Sequence, residues 1–229
     1  MEETGVKNIN RPRRERVKEG APKPLLPLIT DLVFVLIAAY LLLDYLRFML
    51  LYAETPLLVI RQAFFTVYLL SALLLLAVRN RAIAFTPKAV DYVYTILGVG
   101  SPLLFEPTPG GGPIIIGAFL EFAGLVLVVV AFLSLNRSFG LAPENRGIKT
   151  AGAYELVRHP MYLGYILAEV GFVFINFSTF NLFILTISAL FLLLRLQAEE
   201  HLLHQDRAYR AYARKVRWKL IPFIFQACL

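Results

Sequence analysis

Runs of apolar residues, each long enough or nearly long enough to cross a bilayer, constrain this chain more than any other feature. A helix of about 20 apolar residues, rising ~1.5 Å per residue, spans a ~30 Å hydrocarbon core and satisfies its own backbone there. On that basis the sequence predicts an all-α fold, a polytopic bundle of six transmembrane helices over Leu28–Leu50, Leu57–Val78, Ala89–Phe105, Ile114–Leu135, Met161–Phe177 and Phe180–Leu194. The third is the weakest, since it is short and carries Asp91, Gly98, Gly100 and Pro102, so it reads as broken or tilted. Asp44 and Arg47 lie three apart on one face of the first, in position to pair. Asn176-Phe-Ser-Thr is so short that the last two spans form a tight antiparallel hairpin.

Charge sets the orientation. Of the 23 Lys and Arg, 21 fall in residues 1–27, 79–88, 136–160 and 195–229, leaving Arg47 and Arg61 elsewhere. The alternate connections near 51–56, 106–113 and 176–179 contain none. Basic residues mark the cytosolic side, so the pattern predicts a multi-pass protein with both termini cytosolic. A five-span arrangement would spoil this asymmetry. Composition agrees: 58% of residues are hydrophobic and 17% charged, against about 25% charged in a soluble domain. The net charge of +7 flanks apolar segments and forms no surface stripe, which fits anionic membrane lipids as partners and not nucleic acid.

Residues 1–24, with four Glu among their Lys and Arg, read as a disordered basic lead, and residues 25–229 as a single membrane domain. The first apolar run follows that lead and is long enough to span, unlike a cleavable signal peptide. The single Cys228 excludes an internal disulfide, and its place next to the C-terminus does not make a prenylation box. Leu196, Leu202, Leu203, Tyr209 and Tyr212 alternate with charges at roughly helical spacing, as in an interfacial or pocket-covering tail helix, and Trp218 is an aromatic anchor at headgroup depth.

Between the fourth and fifth spans lies Gly152-Ala-Tyr154-Glu-Leu-Val-Arg158-His159-Pro160-Met-Tyr162-Leu-Gly164. Pro160 disfavours helix at His159 and suits the first turn of a new helix, whose unpaired N–H groups favour an anionic or polar ligand group. Gly164 leaves room for a ligand or a neighbouring backbone. The hairpin should bring this mouth beside Arg195 and Glu199-Glu200, and adjacent carboxylates there require a cation or hydrogen-bond donors. A basic loop and a solvated tail would account for the same residues without a site. Glu169, ten residues past His159 and so about 15 Å deeper, either lines a tunnel or packs between helices. Glu121 is likewise an ionisable residue within a span. His201 and His204 lack further metal-ligand partners and read as solvated.

Arg158-His159-Pro160-Met-Tyr162-Leu-Gly164, then Arg195-x3-Glu199-Glu200, Tyr209-x2-Tyr212 and Val216-x4-Ile221-Pro222, resemble the isoprenylcysteine carboxyl methyltransferase and phospholipid methyltransferase group of membrane enzymes. The resemblance covers about residues 114–225 and includes Asn136-Arg-Ser-Phe139-Gly and Lys149-Thr-x-Gly-x-Tyr154. It implies S-adenosyl-L-methionine as cofactor and a lipophilic methyl acceptor as substrate. It also implies that His159, Pro160, Tyr162, Leu163 and Gly164 line the adenosyl moiety and that Glu199 and Glu200 bind the cofactor's polar groups. By the same resemblance Arg195 orients the acceptor or holds the site; Arg158, at the mouth of the fifth span, is a candidate substrate-binding residue, as is Glu169. Leu203-His204-Gln205-Asp206-Arg207 lacks the Phe-Gly pair that many members have before the paired tyrosines.

Methyl transfer requires alignment of two reactants and exclusion of water, and no metal. His159 serves either as a base for a thiol or amine or as a positioning group. A carboxylate acceptor would need no base. Two other functions use the same residues: an NADPH-dependent membrane lipid or sterol reductase, disfavoured by Glu199-Glu200 where a phosphate would bind, and a small transporter or scaffold with Asp44, Arg47, Asp91, Glu121 and Glu169 as a polar path.

Overall fold

The computed structural model describes residues 25–52, 66, 70, 72–106, 108 and 114–222. The basic lead, the connection near 51–56, most of the second span, most of the 107–113 linker and Cys228 lie outside the described residues, as does the side chain of Asp44 and hence its pairing with Arg47. The fold is helical: α1 (Leu25–Tyr52), α2 (described over 72–78), α3 (Ala89–Gly100), α4 (Ile114–Leu135), α5 (Pro160–Ile175), α6 (Thr179–Leu203) and α7 (Arg207–Lys215).

Among the described residues, two stretches are long and apolar enough to cross a membrane, Ile114–Ser138 and Thr179–Leu203. Only 22% and 33% of their apolar windows are buried, whereas the core helix of a soluble protein is mostly buried. Ile115, Phe119 and Leu133 of α4 are 84%, 70% and 71% exposed, an outward face that suits lipid. This is a membrane protein. Pro27–Leu43, Ala89–Leu104 and Pro160–Ile175 are shorter apolar helical stretches.

The segment expected as the third span is a broken helix, as its composition predicts: α3 gives way to a 3-10 turn at Ser101–Leu104 with Pro102 in its first turn. The hairpin turn is tight. Ser178 caps α6 by accepting from the Asn181 N–H at 3.0 Å, and the fully buried Asn181 donates to the Asn176 and Glu106 carbonyls at 2.7 and 2.8 Å. The two helices do not pack chiefly on each other, however. α5 packs on α4, and α6 on α3. Small residues decide this. Gly117 and Gly124 of α4 face Gly171, Gly164 and Ala168 of α5, so the backbones touch. A Cβ at Gly124 would stand 2.4 Å from the Ala168 nitrogen and 2.6 Å from the Gly164 carbonyl oxygen.

α6 runs nine residues past the expected end of the sixth span at Leu194, because Arg195-Leu-Gln-Ala-Glu-Glu-His-Leu-Leu contains good helix formers and no breaker. Arg195 and Glu199 are thereby four apart on one face of a continuous helix. Asp206 caps α7 by accepting from the Ala208 N–H at 2.8 Å, and Arg214 and Lys215 suit its C-terminal end. Its Tyr209, Tyr212 and Ala213 face inward. A two-residue antiparallel pair, β1 (Ala84–Phe85) with β2 (Glu144–Asn145), ties the loop before α3 to the loop before α5. No apolar periodicity announced it.

Gly124→Ala should lower the detergent-solubilised protein's thermal midpoint, since overpacking costs about 1–3 kcal/mol. Gly100→Ala, whose added Cβ meets nothing within 4 Å among the described residues, should leave it unchanged. Equal midpoints for the two variants in a fluorescence melt would refute the close crossing.

Candidate active site

The mouth of α5 forms as its sequence requires. Pro160 occupies the first turn, and His159 sits outside helical geometry at φ −130°, ψ 59°. The Arg158 and His159 N–H groups, which precede the helix, donate to the Trp218 and Lys219 carbonyls at 2.9 Å, strapping the C-terminal segment across the motif. Trp218 thus serves the site through its backbone.

Glu200 of α6 gathers these pieces. Arg158 donates to both carboxylate oxygens at 2.9 Å, the His159 Nε2 lies 2.7 Å from Oε1, and the Tyr209 hydroxyl donates to Oε1 at 2.5 Å. Arg158, His159 and Glu200 are 2%, 4% and 5% exposed. Arg158 also donates to the Val216 and Arg217 carbonyls. Burial and the nearby Glu200 charge push the Tyr209 hydroxyl well above its ordinary range, so it remains a neutral donor.

One position earlier, Glu199 accepts from the Tyr162 hydroxyl at 2.6 Å. The Tyr162 ring stands edge-on to His159 and lies 5.0 Å from the Arg195 guanidinium carbon. Arg195, 2% exposed, donates to the Leu141 carbonyl. The spatial expectation therefore holds: the start of α5 and the end of α6 are in direct contact.

Around this contact lies a polar cavity of about 60 Å³. Of the residues expected there, Arg158, His159, Tyr162 and Glu199 line it. Pro160, Leu163, Gly164, Arg195 and Glu200 do not. Gly164 is turned to α4, where an added Cβ would stand 2.6 Å from a Val128 methyl carbon, and Leu163 packs with the apolar cluster of Leu192, Leu196 and Leu220. Glu200 spends its oxygens on Arg158, His159 and Tyr209, which makes it a clamp behind the cavity wall.

The loop of residues 138–149 supplies lining that the motifs do not reveal, notably Glu144, Arg146 and Lys149. Arg146 donates through Nε to Glu144 at 2.6 Å and also to the Asn80 carbonyl. Burial raises the Glu144 carboxyl against the pull of Arg146, and lowers Arg146 against the pull of Glu144. Gly147 has φ +102°, a conformation that favours glycine. Tyr154, Tyr209 and Tyr212 complete an aromatic roof, and the Tyr212 hydroxyl donates to the Tyr154 carbonyl at 2.7 Å.

A second, apolar cavity of about 220 Å³ lies between α1, α3, α4 and α5, with Thr30, Thr95, Tyr165 and Glu169 as its side chains that carry a polar group. Glu169 is 8% exposed, and its Oε2 has no hydrogen-bond partner among the described residues. Glu121 is half-buried on α4, its backbone against Gly171. His204 places Nδ1 2.8 Å from the Glu200 carbonyl, while His201 is exposed beside a groove that also contains Lys88.

Residues 110–211 match the family model of the phospholipid methyltransferases. The match runs from just before α4 into α7 and contains both motifs, bearing out the resemblance read from them. The family and the apolar helices together indicate a membrane methyltransferase. No curated protein matches the chain.

Glu200→Gln should strand buried Arg158 without its counter-charge and destabilise the fold by about 3–5 kcal/mol. Glu199→Gln, which removes charge from a half-buried carboxylate bonded to one tyrosine, should change the melting midpoint far less. Thermal melts of the two variants check this, and a larger loss for Glu199→Gln would contradict the clamp.

Proposed function

We propose that this protein is an S-adenosyl-L-methionine-dependent methyltransferase of a lipophilic acceptor, a six-span bundle with both termini and the site on the cytosolic side. The observation that carries the reading is a pair of neighbouring cavities on successive turns of α5, one lined by charged and tyrosine side chains and one almost wholly apolar.

The polar cavity's donor set fits the cofactor. Glu144 and Glu199 suit its ammonium and ribose hydroxyls, Arg146 and Lys149 its carboxylate, and the tyrosine faces a base and a cation. The free volume of about 60 Å³ is below that of ordinary ligand pockets, about 300–1,000 Å³, so occupancy requires the 138–149 loop or α7 to move outward. When bound, S-adenosyl-L-methionine supplies an electrophilic sulfonium methyl, which exchanges its bond to sulfur for one to the acceptor's heteroatom and leaves a neutral thioether. The chain's part is to bind, orient and keep the site dry. Tyr162 and Glu199 orient the polar side, and Arg195 holds the loop opposite. His159, already engaged by Glu200, is a positioning group in this reading.

The apolar cavity suits a hydrocarbon tail, with Glu169 offering one free oxygen to a polar group on it. Prenylcysteine-like carboxylates, lipid amines and thiols share the chemistry of a long apolar chain with a single nucleophilic head.

Calorimetric titration in nanodiscs should show saturable binding of S-adenosylhomocysteine and none of NADPH. Glu199→Gln should weaken the former by at least about tenfold, the worth of one charge-assisted hydrogen bond. NADPH binding in place of S-adenosylhomocysteine would overturn the assignment. Glu169→Gln should leave S-adenosylhomocysteine affinity intact while raising the acceptor KM, measured with isotope-labelled methyl donor and a lipid extract. The reverse pattern would remove Glu169 from the acceptor side.

A further inference from the structure

The wall between the two cavities is thin, and its two sides are anchored differently. On α5, Met161 and Tyr162 line the polar cavity, and Tyr165, one turn on, lines the apolar one. Opposite them Gly140 and Ala142 line the polar cavity, while Leu141 between them lines the apolar one. Leu141 is 4% exposed and packs in one buried cluster with Val128 and Met161.

The α5 side is held at both ends. Arg158 and His159 are fastened to Glu200 ahead of it, and Gly164 is in backbone contact with Gly124 behind it. Residues 140–142 belong to no helix or strand. Among the described residues, the hydrogen bond that holds this stretch is the one from the Arg195 guanidinium to the Leu141 carbonyl. The same guanidinium lies over the Tyr162 ring, whose hydroxyl reaches Glu199 in the polar cavity.

Displacement chemistry needs the reacting atoms about 3–3.5 Å apart, and an intervening leucine side chain prevents that. We propose that Leu141 is the door between the donor and acceptor cavities: its displacement joins them, and its bulk sets which acceptor head groups reach the donor. Arg195 is the positioning residue that latches it. This rests on the two-cavity reading above and adds to it the residue that selects the acceptor by head-group size.

The test uses the full-length protein in nanodiscs and a single-chain dodecyl amide whose head carries a photoreactive diazirine. After irradiation and tryptic digestion, peptide 150–158, which contains Tyr154, reports the polar cavity, and peptide 19–47, which contains Thr30, Phe34 and Leu41, reports the apolar one. In the wild type, label should fall on 19–47 and little on 150–158. Leu141→Ala should raise label on 150–158 by about tenfold, the scale on which small changes in an apolar pocket discriminate. S-adenosylhomocysteine affinity should stay within about twofold of wild type, because Leu141 does not line the polar cavity. Leu141→Val should give a smaller gain, and Arg195→Lys, which keeps the charge but changes the donor geometry, a gain like that of Leu141→Ala. These two carry the test if Leu141→Ala does not fold. Unchanged labelling of 150–158 in folded variants would overturn the door. So would a tenfold loss of S-adenosylhomocysteine affinity without new labelling, which would make Leu141 part of the donor pocket alone. Absence of S-adenosylhomocysteine binding in the wild type would instead fail the donor assignment, while the labelling pattern still decides whether Leu141 separates the two spaces.

Discussion

One buried carboxylate, that of Glu200, holds together segments separated by more than 40 residues. Arg158, His159 and Tyr209 converge on it from the start of α5 and from α7. A carboxylate, a guanidinium and an imidazole withdrawn from water are tolerable only where each satisfies another, so the local structure must form as one unit. Arg158 extends that unit to the C-terminal segment through the Val216 and Arg217 carbonyls. What looks like two adjacent glutamates sharing a role is a division of labour. The helix turns by about 100° between neighbours, so Glu200 faces the clamp while Glu199 faces the cavity.

The α4–α5 crossing gives the clamp its fixed base. With glycines on both sides the helices meet at their backbones, and the start of α5 cannot slide relative to α4. The opposite boundary of the site is made of loop, held by a two-residue strand pair, the Glu144–Arg146 ion pair and Arg195. The side bearing the motif is thus built on packed helices, and the side facing it is built on loop.

Much of this was legible in the sequence because it follows from short-range physics. Pro160 sets the start of α5 whatever surrounds it, Gly100 and Pro102 break α3, and Asn176-Phe-Ser-Thr is too short for anything but a turn. The expected adjacency of the α5 mouth and the Arg195–Glu200 segment followed from that turn and from the charge pattern. Spacing alone offered Gly164 to a ligand or to a neighbouring backbone, because a glycine signals only close approach, not what approaches. Here it is Gly124 and Val128 of α4. The end of α6 was misplaced because hydropathy falls at Arg195 while helix propensity does not.

By itself, then, the chain determined its membrane character, the breaks and caps of its helices, and the motif that marks the site, all of which depend on residue type and near neighbours. Which side of each helix meets which partner was decided only in three dimensions. The choice between Glu199 and Glu200, the placing of Glu144 and Arg146 at the cavity, and the position of Leu141 between two spaces depend on contacts between residues far apart in the chain. Such contacts leave no periodic trace, because the atoms that close them are brought together by packing and not by spacing.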